Sequence, residues 1–597
     1  MTEYRAPLAE FRFVQTLFGA ADDWAARPEE AALTPDLVDA ILEEAGRIVS
    51  AELTPLNRTG DVEGCRFSAG AVTTPTGFKA ALAQLAAGGW CGLAGSVEQG
   101  GQGLPRLLTL AVDEMLFAAN TSLALYLSLN NGAALLLESC ADEALKARYL
   151  PRLLAGEWLG TMCLTEPHCG TDLGLIKTRA VPNDDGSYAI TGSKVWITGG
   201  EHDLTENILH LVLAKLPDAP AGSRGISLFA VPKRHVGTDG ILGEPNGVVC
   251  GGLEHKMGIK GSATCVMHFD SARGELIGAP HQGLAAMFTM MNEERLSIGL
   301  QGLGLGEAAY QNAMAFARER LQSRGPGGAV APEKIADPIL VHPDVRRMAL
   351  NVRAWNEGGR LFAAFIACEL DRARWHTDAH TRTRSEEAVA LLTPVAKAFL
   401  TERGFEATVE AQQLFGGSGY CVEWGAEQFV RDARIAMIYE GTNGIQAMDL
   451  VGRKLARDDG AMLGRFIQRM RNSLAEPDCA AIDPRYRAQL EQELARLERT
   501  TQHLLQRAKD DPAALGAAAH DTLQLLALTV YAWLWARASQ SAMAGLEQGG
   551  ALGEAFYREK LIVARHFFER QLPRSLALER QLASGAEGLM AMPIEGF

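Results

Sequence analysis

One run carries more chemistry for its length than any other: Arg431-Asp432-Ala-Arg434-Ile-Ala-Met-Ile438-Tyr439-Glu440-Gly441-Thr442-Asn443-Gly444-Ile445-Gln446. Its pattern predicts a helix end, a short extended piece, and a new helix beginning near Thr442, with Thr442 or Asn443 as the cap. Ile445, Met448 and Leu455 then fall near one face of that helix. Glu440 stands at the joint. Its plainest duty there is to complement the dipole of the new helix. A sharper one is proton transfer. An apolar wall of Ile438 and Tyr439 would raise the carboxylate's pKa toward neutrality, and Gly441 would let a ligand approach the main chain.

A second constellation lies upstream. Thr161-Met-Cys-Leu-Thr165-Glu166-Pro167-His168-Cys169-Gly170-Thr171-Asp172 runs from a strand into a tight glycine turn, and Trp196-Ile197-Thr198 ends a later strand. A flat tricyclic redox ring such as a flavin needs an aromatic wall and hydroxyl donors at its polar edge. Trp196, Thr165 and Thr198 supply those residue types.

Other patterns fail on their context. Gly302-Leu-Gly304-Leu-Gly306 imitates a dinucleotide loop but lies in a helical run with no preceding strand, so close helix packing is expected. His376 and His380 lack the Glu of a zinc HExxH and sit in a charged, Thr-rich stretch, and Ser418 has no GxSxG frame. The ten cysteines are scattered, none closer than Cys163 and Cys169, so no metal-ligand spacing exists and reduced thiols are expected.

Several elements must position these groups. Helical patterning from about Thr34 to Gly156 gives way to short strand-like runs, Tyr188 to Ile190, Val195 to Thr198, Ile208 to Leu213 and Ile226 to Val231, punctuated by turns such as Asp185-Gly186. Helical periodicity returns at Leu284 and lasts to about Arg457, broken by a Gly/Pro loop from Gly325 to Pro332. Leu490, Leu494, Leu497, Thr501 and Leu504 then mark a C-terminal bundle. The expected fold is mostly α with a central β-domain and an additional C-terminal helical bundle. Its divisions are an N-terminal extension 1–33, helical domain 34–158, β-domain 159–283, second helical domain 284–457 and C-terminal helical domain 458–597.

A net charge of −15 and the absence of a dense Lys/Arg stripe argue against nucleic acid as a partner. Met115 to Leu137 is uncharged and long enough to span a bilayer. Its Asn120, Asn130 and Asn131 and its hydroxyls point instead to a buried helix, so no integral membrane segment is expected. Met1 to Gln15 lacks the basic-then-apolar order of an export signal, and a cytoplasmic location is expected.

Leu164-Thr165-Glu166-Pro167, Lys194-Val195-Trp196-Ile197-Thr198, Gln413-Leu414-Phe415-Gly416-Gly417-Ser418-Gly419-Tyr420 and Tyr439-Glu440-Gly441-Thr442 are similar, in order and spacing, to signature segments of the acyl-CoA dehydrogenase family. The likeness spans about Thr34 to Arg457. With its C-terminal extension the chain further resembles the branch that includes 3-methylmercaptopropionyl-CoA dehydrogenase. The resemblance implies an FAD enzyme that converts an acyl-CoA thioester to the trans-2-enoyl-CoA. Short or medium fatty acyl groups and 3-methylmercaptopropionyl-CoA are the implied substrates, and an electron-transfer flavoprotein is the acceptor. An oxidase using O2, or a non-catalytic flavin- or CoA-binding assembly protein, would keep the same scaffold.

By the same resemblance Glu440 matches the base, with Glu294 at the position where another branch carries its own. Thr165, Thr171, Trp196 and Thr198 match FAD contacts. Arg320, Gln413, Gly417 and Thr442 match positions that reach a neighbouring subunit's FAD, which implies a homodimer or a dimer of dimers. Arg295 and Gly441 are candidates to contact substrate. Two departures stand out: both candidate bases are present, and Arg320-Leu321-Gln322-Ser323-Arg324 replaces a stretch where many relatives carry an aromatic residue and Gly.

Overall fold

The computed structural model describes residues 3–25, 33–237, 239–475 and 482–597. The chain forms two compact units, one built from residues 45–297 and the other from residues 3–44 together with 298–597.

In the unit of residues 45–297, a seven-stranded sheet carries the upstream constellation. Its strands are β1 (Leu159–Cys163), β2 (Arg179–Pro182), β3 (Tyr188–Thr198), β4 (Ile208–Lys215), β5 (Ile226–Pro232), β6 (Val248–Leu253) and β7 (Thr264–Ile277). The order is β6-β7-β3-β2-β4-β1, and β5 pairs with both β7 and β4, which closes a ring and leaves few open edges. The two short runs expected at 188–190 and 195–198 are one continuous strand. β5 is buried on both faces, as is nearly all of β4, which is why both read as unbroken apolar runs rather than alternating ones.

The apolar stretch at 115–137 lies within helix α1 (Arg106–Cys140), long and apolar enough to cross a membrane but almost wholly buried within the protein. Its polar residues serve the fold. Asn120 breaks the helical geometry (φ −158°, ψ 89°), and its Oδ1 recaps the next turn by accepting from the Leu123 N–H at 3.1 Å. Asn130 donates to the Leu153 carbonyl at 2.9 Å and accepts from the Gly160 N–H at 3.0 Å, tying α1 to β1. A Cβ on Gly160 would sit 2.4 Å from that of Ala133, so only glycine lets the strand come this close to the helix.

Helix α2 (Gly283–Glu319) begins in this unit and ends in the other, the passage falling between Ser297 and Ile298. Within residues 298–597, α2 crosses α4 (Ala379–Leu414) where Gly302 and Gly404 abut, and a Cβ on Gly302 would lie 2.7 Å from the Leu400 carbonyl oxygen. The glycine series is thus a helix-packing feature, as its context suggested. Helix α3 (Pro343–Trp375) packs along α4, and α5 (Asn443–Met448) follows the Glu440 segment.

The C-terminal helices α6 (Pro484–Arg507) and α7 (Ala514–Gln548) belong to this same unit. Leu490, Leu494, Leu497, Thr501 and Leu504 are all buried on α6. On α7, Tyr531 fits against Gly358 of α3, where a Cβ would come within 2.6 Å of the ring. The first residues join the unit too. A helix at Leu8–Leu17 buries Phe11, Phe13 and Val14, and the buried Lys560 ammonium bonds both Glu10 and Glu357 at 2.6 Å.

Candidate active site

The sequence-predicted residues fall in two groups, one in each unit. In the unit of residues 45–297, β1 ends at Cys163 and the chain turns through Glu166 and Cys169, which pair across a tight bridge. The Thr165 carbonyl accepts from the Val195 N–H at 3.0 Å, so the turn lies against the end of β3 that carries Trp196 and Thr198. Thr161 donates its hydroxyl to the Thr198 carbonyl and fixes that end from below. Thr165 and Thr198 are half-buried, and Thr171 is exposed. Trp196 is 59% exposed and holds a left-handed φ of +59°. An indole of that size turned outward on a strained residue offers a flat apolar face that the fold's own core does not use.

What rigidifies this corner is a buried ion pair to which the sequence reading gave no role. Lys194, fully buried on β3, donates to Glu166 at 2.9 Å and to the Leu164 carbonyl at 3.0 Å. Glu166 also accepts from the Lys177 and Thr178 N–H groups and from the Thr178 hydroxyl. Burial alone would raise the Glu166 pKa, but Lys194 and these hydrogen bonds outweigh it and hold the carboxyl down to about 2. Burial pulls the Lys194 ammonium below its ordinary value while Glu166 opposes that shift. Glu166, His168 and Cys169 also come close enough together to suggest metal ligands. The Glu166 oxygens are committed to the lysine and the turn, and the His168 ring bonds the Leu175 carbonyl at 2.9 Å.

Glu294 and Arg295 lie on the first part of α2, in the same unit. Glu294 is 1% exposed, and its Oε2 accepts from the Ser128 hydroxyl of α1 at 2.8 Å. Gly132 faces it, where a Cβ would sit 2.9 Å from Oε1. Arg295 is buried over the Phe288 ring and donates to Asn292 at 3.1 Å.

The other group lies in residues 298–597. A helix over Ala426–Arg434 runs into a single tight turn at Ile435–Met437. The chain then passes through two left-handed residues, Glu440 (φ +55°) and Gly441 (φ +80°), not the extended piece expected from sequence. Thr442 caps α5 by accepting from the Ile445 N–H at 3.3 Å. The expected shared face is absent as well. Ile445 and Met448 are exposed while Leu455 is buried, because the helix widens into a π-turn at Asp449–Leu455 and shifts its phase. Ile438 is also exposed, so the wall beside Glu440 is narrower than its sequence implied.

Glu440 is half-buried, and donors hold the main chain on its C-terminal side. Gln446, fully buried, donates to the Glu440 and Gly441 carbonyls at 3.2 Å each. Lys397, fully buried on α4, donates to the Gly441 carbonyl at 2.8 Å and to Asn443 Oδ1 at 2.9 Å. The sequence carried a signal for Lys397 that was passed over: a lone lysine inside the apolar run Leu391 to Leu400.

Arg320, Gln413 and Gly417 are exposed. Phe316 stacks on Phe415 at 4.7 Å and meets Trp424 edge-on at 5.4 Å, which draws the end of α2, just before Arg320, toward the end of α4 that carries Gln413 and the turn after it that carries Gly417. Arg320 donates its N–H to Phe316 and accepts from the Ile339 N–H through main-chain atoms, leaving its side chain to the surface.

Comparison with known proteins matches four family models end to end. They are the acyl-CoA dehydrogenase N-terminal domain over residues 36–157, middle domain over 161–272 and C-terminal domain over 281–455, then an acetyl-CoA dehydrogenase C-terminal like domain over 466–593. The chain is 39% identical over 590 residues to 3-methylmercaptopropionyl-CoA dehydrogenase of Ruegeria pomeroyi, covering 98% of this chain and 99% of that protein. Among solved structures it resembles Caenorhabditis elegans ACDH-11 in complex with C11-CoA, with a TM-score of 0.77, 18% identity and coverage of 98% and 95%. It also resembles a Bacillus anthracis acyl-CoA dehydrogenase complexed with FAD, with a TM-score of 0.69, 19% identity and coverage of 95% and 88%.

Proposed function

The chain belongs to the acyl-CoA dehydrogenase family, and on that premise we propose that Glu440 is the base that removes the α-proton of the acyl-CoA thioester. The protein is an FAD-dependent oxidoreductase that acts on acyl-CoA. Its residues suit the cofactor: the outward indole of Trp196 matches a flat ring, and the half-buried Thr165 and Thr198 match its polar edge. FAD supplies the hydride acceptor when bound. The chain's own part is to orient and deprotonate. A thioester carbonyl acidifies the adjacent C–H, and a main-chain N–H at Glu440 aimed at the carbonyl oxygen would stabilise the developing enolate while the carboxylate takes the proton.

The observation that carries the assignment is the backbone at residue 440. A non-glycine residue in the left-handed region costs about 1 kcal/mol or more, and here Gln446 and Lys397 lock the carbonyls of residues 440 and 441. Glu440→Gln should keep the yellow flavin yet lose bleaching by acyl-CoA under anaerobic conditions. Full bleaching of that variant would remove Glu440 from the role.

The substrate reading is a short acyl-CoA, with 3-methylmercaptopropionyl-CoA the first candidate. End-to-end likeness to the Ruegeria pomeroyi enzyme supports it, while the polar residues of α1 do not bear on it because Asn120, Asn130 and Ser128 are engaged within the fold. An anaerobic panel graded by acyl length and including that thioester tests it. Electrons pass on to an electron-transfer flavoprotein in this reading, and peroxide release during aerobic turnover would favour the oxidase instead. Exposed Arg320, Gln413 and Gly417 support a homodimer or dimer of dimers, which sedimentation of the holoenzyme would test. The nine described cysteines are free.

A further inference from the structure

The loop that bears Glu440 is tied to the C-terminal domain by a continuous hydrogen-bonded chain. Gln524 of α7, buried, donates to Glu402 Oε2 of α4 at 2.6 Å. Glu402 Oε1 accepts from Asn443 Nδ2 at 3.1 Å. That amide also donates to the Ala398 carbonyl and the Thr401 hydroxyl, each at 3.1 Å, while its Oδ1 accepts from Lys397. Lys397 is a pure donor, so it fixes which way the Asn443 amide faces, and its remaining reach holds the Gly441 carbonyl. Every link from α7 to the residue after Glu440 is polar and buried or nearly so. Such a chain has few alternative arrangements of comparable energy. Helix α7 also packs directly on α4 and α5.

Building on the assignment of Glu440 as base, we propose that Gln524 and Glu402 are positioning residues, through which the C-terminal domain sets the conformation of the Glu440 loop and hence the rate of proton abstraction. Neither residue touches the reacting atoms. Their effect runs through Asn443 and Lys397 to the main chain at 440–441, where an ångström-scale error is expensive.

The test uses the FAD-loaded enzyme and 3-methylmercaptopropionyl-CoA or butyryl-CoA, whichever reduces the flavin faster. Gln524→Leu should slow anaerobic flavin reduction about 10-fold with little change in KM, a loss smaller than that of an ångström-scale misplacement because Lys397 and Gln446 stay in place. Amide hydrogen exchange should quicken across residues 438–446. Gln524→Glu sets two carboxylates together and should slow the reaction at least as much. The double variant E402Q/Q524E restores both links with the amide and carboxylate exchanged, and should recover most of the rate. Thr529→Val, about one and a half turns farther along α7, removes a hydroxyl that donates to the Leu525 carbonyl of its own helix. It should leave both rate and 438–446 exchange unchanged whatever its effect on melting.

Unaltered rate and exchange in Q524L would overturn the proposal, as would a swap variant no faster than Q524E, and the swap decides the matter should Q524L fail to fold. If E440Q bleaches fully while Q524L still loosens 438–446, the base assignment fails and the mechanical coupling stands.

Discussion

Glu294 and Glu440 are both candidate bases, and they stand in different surroundings. Around Glu294, within residues 45–297, the structure supplies a partner to the carboxylate itself: the Ser128 hydroxyl bonds Oε2, and Gly132 makes room for Oε1 in a packed interior. Around Glu440, in residues 298–597, the buried Lys397 and Gln446 are directed at the main chain, while the side chain is half-buried on a left-handed residue. A base must reach its proton at the same place in every turnover, and fixing its backbone aims it. The signature segment around Glu440 already favours it over Glu294 in the sequence, and the left-handed backbone at residue 440 supports the same reading.

The largest expected effect breaks the comparison outright. Glu440→Gln should slow anaerobic flavin reduction by about 10³-fold, the usual worth of a positioned general base. Glu294→Gln keeps an acceptor for Ser128 and should stay within about threefold of the unmodified enzyme, since no proton-transfer step is lost. Equal losses in stopped-flow traces would dissolve the distinction.

Glu166 marks the extreme of a carboxylate held by its partners, and its prediction comes next in size. Lys194→Met leaves a buried charge uncompensated and should cost about 3 kcal/mol, read as a lower melting temperature and weaker FAD retention. The pH dependence has a definite sign. The folded pKa of about 2 lies below the ordinary 4.5, so Glu166 contributes stability above pH 4.5 and loses it as pH falls toward 2. Glu166→Gln should therefore narrow the stability gap to the unmodified protein as acidity increases. A gap that widens between pH 4.5 and 3 would contradict the ion-pair account.

Much of this was legible in the sequence. The four signature segments singled out Trp196, Thr165 and Glu440 as candidates, and strand-like runs located β3, β4 and β5 because buried strands leave unbroken apolar stretches. The loop conformation was not legible. Nothing in Ile438-Tyr439-Glu440-Gly441 announces a left-handed glutamate, since that backbone is imposed by Lys397, Asn443 and Gln446 acting together, and Lys397 lies 43 residues before Glu440. Nor did the spacing of Ile445, Met448 and Leu455 reveal the π-turn that changes the helix phase. Periodicity reads local structure well and long-range hydrogen bonds hardly at all.

Two glycine substitutions sharpen the comparison at smaller scale. Gly132→Ala would press a methyl 2.9 Å from both Glu294 Oε1 and the Met290 side chain, in a packed interior where overpacking costs about 2 kcal/mol. Its effect should appear in melting temperature, with kcat nearly unchanged in the surviving folded enzyme. Gly441→Ala acts where the backbone is the device. At φ +80° an alanine is strained by about 1 kcal/mol, and its methyl would meet Gln446 Nε2 at 2.7 Å, displacing the amide that holds the Glu440 and Gly441 carbonyls. Melting should fall less than in Gly132→Ala, yet kcat should fall more and KM little, because the loss is in aim rather than in binding. A Gly441→Ala enzyme that melts early but turns over normally would show that the left-handed loop is a folding solution with no bearing on the chemistry.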